Sequence, residues 1–154
     1  MNTNLIFYRK ATKEDLVTIV QMLSDDDLGK NREQFEYPLP ESYYDAFRSI
    51  DSDPNIELTL AYYEDKIVGV LQIVFTPYIT YQGGWRATIE GVRTASFLRG
   101  KGIGKQLIQW AITRAKERNC HIVQLTTDKN RKDAIRFYEQ LGFKPTHEGF
   151  KMHL

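Results

Sequence analysis

Cysteine is nearly missing from this chain: Cys120 is the one thiol in 154 residues. An intramolecular disulfide is excluded, and a reducing compartment is the expected setting. His121 follows it directly, but adjacent side chains of a strand point to opposite faces. Cys120 is therefore expected to be a small buried hydrophobe rather than an activated nucleophile. Histidine is scarce as well. His121, His147 and His153 show no ligand spacing with one another or with Cys120, so no metal is expected. Neither charge is in excess, since Lys and Arg number 21 against 20 Asp and Glu. Such a chain has no broad basic surface to drive nucleic-acid binding, and any anion it takes must be gripped locally. Long apolar runs do not occur either. Leu5 to Tyr8 give way at once to Arg9 and Lys10, too short for a signal-peptide core or a membrane span. A cytoplasmic protein without membrane contact is the expectation.

What is present suits one domain over residues 1–154, with 42% hydrophobic and 27% charged residues and no internal repeat. Leu5 to Tyr8 read as a first strand. Thr12 and Asp15 form a capping-box pair before Leu16, Ile19, Val20 and Leu23, which fall at helical spacing. A polar stretch, Ser24 to Tyr37, precedes a second helix that opens at Pro40 and carries Tyr43, Ala46, Phe47 and Ile50 on one face. Three strands follow, from Ile56 to Tyr62, Ile67 to Phe75 and Trp85 to Thr94, with a turn at Glu64-Asp65 between the first two. Gly91 lies inside the last of these and predicts a bulge or a close approach to the backbone. Ile103, Leu107, Trp110, Ala111 and Arg114 then mark a helix running to about Arg118. His121 to Thr126 predict a buried strand. Ala134, Phe137, Tyr138 and Leu141 give a last helix with Gly142 as its C-cap, and Phe143 to Leu154 predict one or two closing strands. The order is that of an α/β (α+β) domain with a mixed sheet.

The sharpest local feature is Arg99-Gly100-Lys101-Gly102-Ile103-Gly104-Lys105, between the central strand and a helix. Glycines there let several backbone N–H groups converge on an anion at a helix N-terminus, where the helix dipole also favours negative charge. Arg99, Lys101 and Lys105 add positive charge, and a pyrophosphate is the natural guest. The spacing fails a dinucleotide fingerprint, whose third glycine comes one residue later. It also fails a Walker loop, which needs four residues before its Gly-Lys and then Ser or Thr.

This R-x-x-G-x-G run, matched by Arg99, Gly102 and Gly104, resembles the acetyl-CoA pyrophosphate motif of the GNAT N-acetyltransferase superfamily. The resemblance extends over nearly the whole chain. Phe7 to Thr12 with Asp15 are similar to the family's opening strand and helix, Ile89-Glu90-Gly91-Val92 to its fourth strand, and Phe137 to Phe143 to its closing motif. It implies a single-domain fold with a mixed sheet of six to seven strands, splayed between the fourth and fifth, and four helices. It implies acetyl-CoA as co-substrate, with Val92, Arg93 and Thr94 offering main chain to the pantetheine arm, as an added strand would find it. Gly100, Lys101, Gly102, Ile103, Gly104 and Lys105 would take the diphosphate with Arg99. Arg131 stands where the family often has an asparagine, with Asn130 before it, and is expected to reach a phosphate or a carbonyl. The resemblance also implies a homodimer.

Acetyl transfer from a thioester to an amine needs a neutral amine, donors for the tetrahedral oxyanion and a proton for the departing thiolate. Strand N–H groups near Val92 are placed to serve the oxyanion. Tyr138 is the expected acid, because a phenol with a reference pKa of about 10 keeps its proton at neutral pH, and it matches the family's acid tyrosine. Glu90 is the expected base, directly or through water, with partial burial raising its pKa toward usefulness. Asp25, Asp26, Asp27, Glu33 and Glu36 lie between the first two helices, where the family shapes its acceptor pocket, and suit a cationic amine. Tyr37, Tyr43, Tyr78 and Tyr81 are further candidates to line it. The acceptor stays open between a small amino metabolite and a protein α-amine or lysine. A domain that binds acetyl-CoA without turnover is a third reading, and a nucleotide-binding protein a fourth.

Overall fold

A computed structural model describes residues 6–25 and 28–154. Leu5, expected in the first strand, and Asp26 and Asp27, expected in the acidic run, lie outside the described residues. Five strands form one sheet in the order of the sequence: β1 (Phe7–Lys10), β2 (Ile56–Tyr63), β3 (Lys66–Pro77), β4 (Trp85–Thr94) and β5 (Cys120–Leu125). The first four pair antiparallel, while β4 and β5 run parallel. A parallel pair needs a crossover, and the helix from Ile103 to Glu117 supplies it. Glu64 and Asp65 both take positive φ in the tight turn between β2 and β3, which is the twist that a two-residue hairpin demands.

Helices cover both faces. On one, α1 (Leu16–Ser24) and α2 (Glu41–Ser52) bury Ile19, Val20 and Phe47 against Leu60 and Val70. On the other, α4 (Ile103–Glu117) buries Leu107, Ile108 and Ala111 against Ala61, Leu71 and Ile89, with α5 (Lys132–Gln140) beside it. Between β3 and β4 lies α3 (Thr80–Gly83), a single turn in which Tyr81 and Gln82 adopt left-handed φ. It is the helix that the four-helix expectation lacked, since four residues are too few to show a period.

Three ties fix the layers. Asp15 accepts from the Thr12 N–H at 2.7 Å and from both Arg9 guanidinium nitrogens at 2.8 and 2.9 Å, joining β1 to the start of α1. Arg114 on α4 forks onto the buried Glu57 of β2 at 2.8–3.1 Å. Tyr8 stacks on Trp110, with ring centroids 5.4 Å apart.

The sheet corrects the expectation of six to seven strands. Residues 144–154 form no strand. Phe143 N–H is taken by the Tyr138 carbonyl, Thr146 N–H by that of Lys144, and Pro145 has no N–H to give. The edge therefore falls at β5, whose side chains are half-buried rather than buried as expected. The first strand also lies two residues later than predicted.

Candidate active site

Pairing between β4 and β5 stops at Ile89 and Leu125. The remaining residues of β4, Glu90 to Thr94, run on beside β3 alone, so among the described residues their other edge has no strand partner, and the space along it is the candidate cleft. A bulge shapes this edge. Gln72 of β3 faces Glu90 and Val70 faces Arg93, so two steps on β3 span three on β4. Gly91 provides the extra residue with φ of 59°, a left-handed conformation that costs a side-chain-bearing residue free energy. Leu23 of α1 stands next to it.

The glycine turn closes one end of the cleft. Ala95, Leu98 and Ser96 carry a 3₁₀ turn (Ser96–Leu98) from β4 to Arg99. Gly100 and Gly102 then take φ of 77° and 85°, and no atom lies within 4 Å of where a Cβ would stand on either. The first bond of α4 runs from Gln106 N–H to Gly102 C=O at 3.2 Å. The N–H groups of Ile103, Gly104 and Lys105 precede it and project from the helix end. Gly104 permits close packing instead, since a Cβ there would sit 3.4 Å from Phe137 and 3.7 Å from Thr94. At that point the turn, the end of β4 and α5 meet. The residues present fit a diphosphate, with backbone donors, open space above two glycines, and Lys101 and Lys105 in the same run of chain.

On α5, Tyr138 is wedged edge-on between Phe137 and Phe143, with ring centroids at 5.1 and 6.0 Å. A Schellman cap sets this arrangement. Gly142 takes φ of 92°, its N–H bonds the Glu139 carbonyl, and Phe143 N–H bonds that of Tyr138. Burial pushes the Tyr138 phenol above its ordinary pKa; Arg131 and Arg93 pull it down less strongly, and Glu90 pushes it up. Tyr138, Arg93, Arg131 and Glu90, drawn from two elements, thus share one electrostatic environment.

Other expected residues are placed as follows. Glu90 is exposed, so the partial burial expected of it is absent; it sits beside the bulge. Arg93 turns its guanidinium back onto the Val92 carbonyl at 2.9 Å. Arg99 reaches Asp25 instead of bending over the glycines: Nη2 donates to its carbonyl oxygen at 2.6 Å and lies 3.5 Å from its carboxylate. That link ties the end of α1 to the turn. Its only sequence signal is the acidic run at Asp25. Arg131 is the N-cap residue of α5.

Tyr43 accepts from Gln34 N–H and donates to Glu33, both at 2.9 Å, which orders the segment between α1 and α2. Tyr37 is exposed. Tyr78 and Tyr81 flank Arg86 near Trp85, the opposite end of β4 from the cleft, and Tyr81 stacks on His121. They do not line it. Cys120 is half-buried, and burial pushes its thiol up, away from reactive thiolate. Among the described residues, no group of three or more His, Cys, Asp or Glu is placed to hold a metal ion, and no helix is long and apolar enough to cross a membrane.

Residues 28–143 match the model of the acetyltransferase (GNAT) family. Aminoalkylphosphonate N-acetyltransferase of Salmonella typhimurium is 28% identical over 142 residues, covering 92% of this chain and 87% of that protein. A crystal structure from Bacillus halodurans C-125, described as a transcriptional regulator, is 62% identical with a TM-score of 0.94, covering 97% of this chain and 99% of that one. A predicted acetyltransferase of Clostridium acetobutylicum, solved with acetyl-CoA, is similar in fold alone, with 22% identity and a TM-score of 0.72 over 96% of each chain.

Proposed function

The chain belongs to the GNAT family of acetyltransferases, and from that premise we propose that it moves the acetyl group of acetyl-CoA to a primary amine of a small cationic or amino metabolite. The observation that carries the reading is the early end of β4–β5 pairing beside the glycine turn. A free strand edge and a helix N-terminus meet there, as a pantetheine arm and a diphosphate require. Acetyl-CoA supplies the activated acyl group and a thiolate leaving group. The protein acts as one domain over residues 1–154, in the cytoplasm, on the strength of its lone cysteine and balanced charge.

The roles follow from what each group holds. Ile103, Gly104 and Lys105 donate main-chain N–H to the diphosphate, with Lys101 and Lys105 adding charge, while Arg99 braces the turn through Asp25. The backbone of Val92, Arg93 and Thr94 aligns the arm, and the Val92 N–H is the donor for the developing oxyanion. Arg131 screens charge at the mouth of the cleft. Tyr138 keeps its proton well past neutral pH and gives it to the sulfur as the C–S bond breaks. Glu90 accepts the proton that the amine loses; its exposure favours transfer through a water over direct contact.

The acceptor enters beside α1 and the segment held by Tyr43, where Asp25 and Glu33 supply negative charge. The Salmonella relative's substrate class supports an amine only coarsely, and amines that carry an anion belong in the same trial. The test is a turnover screen with acetyl-CoA against polyamines, aminoalkylphosphonates, amino sugars and peptides with free α- or ε-amines. Turnover on a small amine supports the proposal. Turnover on peptides alone selects a protein acetyltransferase. Coenzyme A binding with no turnover on any amine selects a binding module.

A further inference from the structure

On the face of β4 that turns away from α4, one cation is held by rings alone. Ala87 and Ile89 are buried under α4, so Arg86, Thr88 and Glu90 lie on the opposite face of the strand. The Arg86 guanidinium is flanked by two rings, 4.4 Å from the centroid of Tyr78 and 5.1 Å from that of Tyr81. Its Nε is closed off from solvent with no acceptor, and among the described residues its side chain makes no hydrogen bond and no ion pair. The turn that presents Tyr81 is strained. Tyr81, Gln82 and Gly83 take φ of 53°, 60° and 76° in succession, and the first two carry side chains. Gly84 then lets His121 lie against the turn, where a Cβ would collide with its ring, and His121 stacks on Tyr81 from the other strand.

We propose that Arg86 anchors the far end of the acceptor, taking a carboxylate or phosphonate at the distal end of an extended amine whose nitrogen reacts at Glu90. This rests on the acetyl-transfer reading, which puts the reacting amine there. Arg86 lies outside the cofactor cleft but on Glu90's face of the strand, four residues away, or about 13 Å at the strand rise. Between them Thr88 of β4 lies opposite Val74 of β3, both half-buried, and Gln124 of β5 donates to Thr88 Oγ1 at 3.1 Å. These side chains floor the path that joins the two ends. Rings occupy both faces of the guanidinium, so a ligand meets it in its plane. There a carboxylate or phosphonate takes two parallel hydrogen bonds from the donor edge. A carboxylate at one end of the path and a guanidinium at the other set the ligand's direction, amine toward Glu90 and acid toward Arg86.

A matched series tests this: ω-amino carboxylates and ω-aminoalkylphosphonates of increasing length, against alkylamines of the same length without an acid. In the unaltered protein, kcat/KM for the acid over the plain amine should stay near one for short chains. It should rise to roughly tenfold or more at about eight to ten carbons, which span the gap. Arg86→Gln should bring that ratio back to about one, and Arg86→Lys should keep only part of it, because an ammonium lacks the planar fork. An arginine that merely holds the turn lowers both substrates alike and leaves the ratio unchanged. A ratio flat with chain length in the unaltered protein, or one that Arg86→Gln does not alter, overturns the anchor and leaves acetyl transfer standing. Absence of turnover on every amine sinks acetyl transfer instead. Calorimetric titration with the ω-amino carboxylate of about ten carbons, coenzyme A present, needs no turnover. The unaltered protein should bind it about tenfold more tightly than Arg86→Gln, and equal affinity overturns the anchor.

Discussion

A phenol pressed between two aromatic rings loses water on most of its surface, and the charged form suffers most from that loss. Tyr138 sits in this way between Phe137 and Phe143, and burial lifts its pKa against the pull of Arg131 and Arg93. Tyr138→Phe keeps the ring packing and deletes the proton. Turnover should drop by about 10²–10⁴-fold, with coenzyme A affinity unchanged. The alkaline fall of the wild-type rate that reports a phenol above about 10 should vanish in the variant. A pH–rate profile of both proteins checks this, and full turnover at every pH removes Tyr138 from the acid's role. The sequence makes the Gly91 bulge legible because a glycine inside a strand is a local signal. It does not show that Glu90 is exposed or that Arg93 bonds the Val92 carbonyl, because both follow from the bulge and from which neighbours the fold brings near.

Elements here are joined by ion pairs that cross long stretches of sequence. Arg114 of α4 and Glu57 of β2 lie 57 positions apart, and the fork between them holds the guanidinium above its ordinary pKa, chiefly through the hydrogen bonds to Glu57. Arg114→Leu strands a buried carboxylate and should lower stability by about 3–5 kcal/mol, while replacing both residues by leucine should restore most of it. Urea unfolding of the three proteins measures the difference, and a single variant within error of the wild type contradicts the pairing. Asp15 works at the start of α1. Burial raises its pKa, but hydrogen bonds from Arg9 and Thr12 outweigh that and hold it below the usual carboxylate range. A depressed folded-state pKa means that its stabilisation is complete above the unfolded value of about 3.9 and is lost as pH falls through the lower folded one. Asp15→Asn should cost about 1–3 kcal/mol at neutral pH and flatten the acid limb of the unfolding midpoint against pH. The capping box was readable from Thr12 and Asp15. Arg9 as a third partner was not, since strand β1 had to be placed first. The helices of ordinary length were readable from their period. The one-turn helix at Thr80 was too short to carry one, and the closing strands failed because a strand pattern does not name its partner.

At the scale of the molecule, the sheet is a platform whose fourth strand outruns its fifth. Two helices on each face position the rest: α1 brings Leu23 and Asp25 to the bulge and the turn, and α5 brings Tyr138 to the same cleft. Of the four sequence segments that carry the family resemblance, the glycine turn, the end of β4 and α5 meet here, while β1 lies at the far edge of the sheet. The central claim is that main-chain donors from Ile103 to Lys105 grip a diphosphate while the free edge of β4 holds the arm attached to it. Calorimetric titration at modest salt with coenzyme A, and in parallel with pantetheine, which lacks the diphosphate, separates the two contributions. One coenzyme A should bind per chain, weakened by added salt, with pantetheine bound far more weakly. Coenzyme A that gives no binding, or binds no tighter than pantetheine, contradicts that claim.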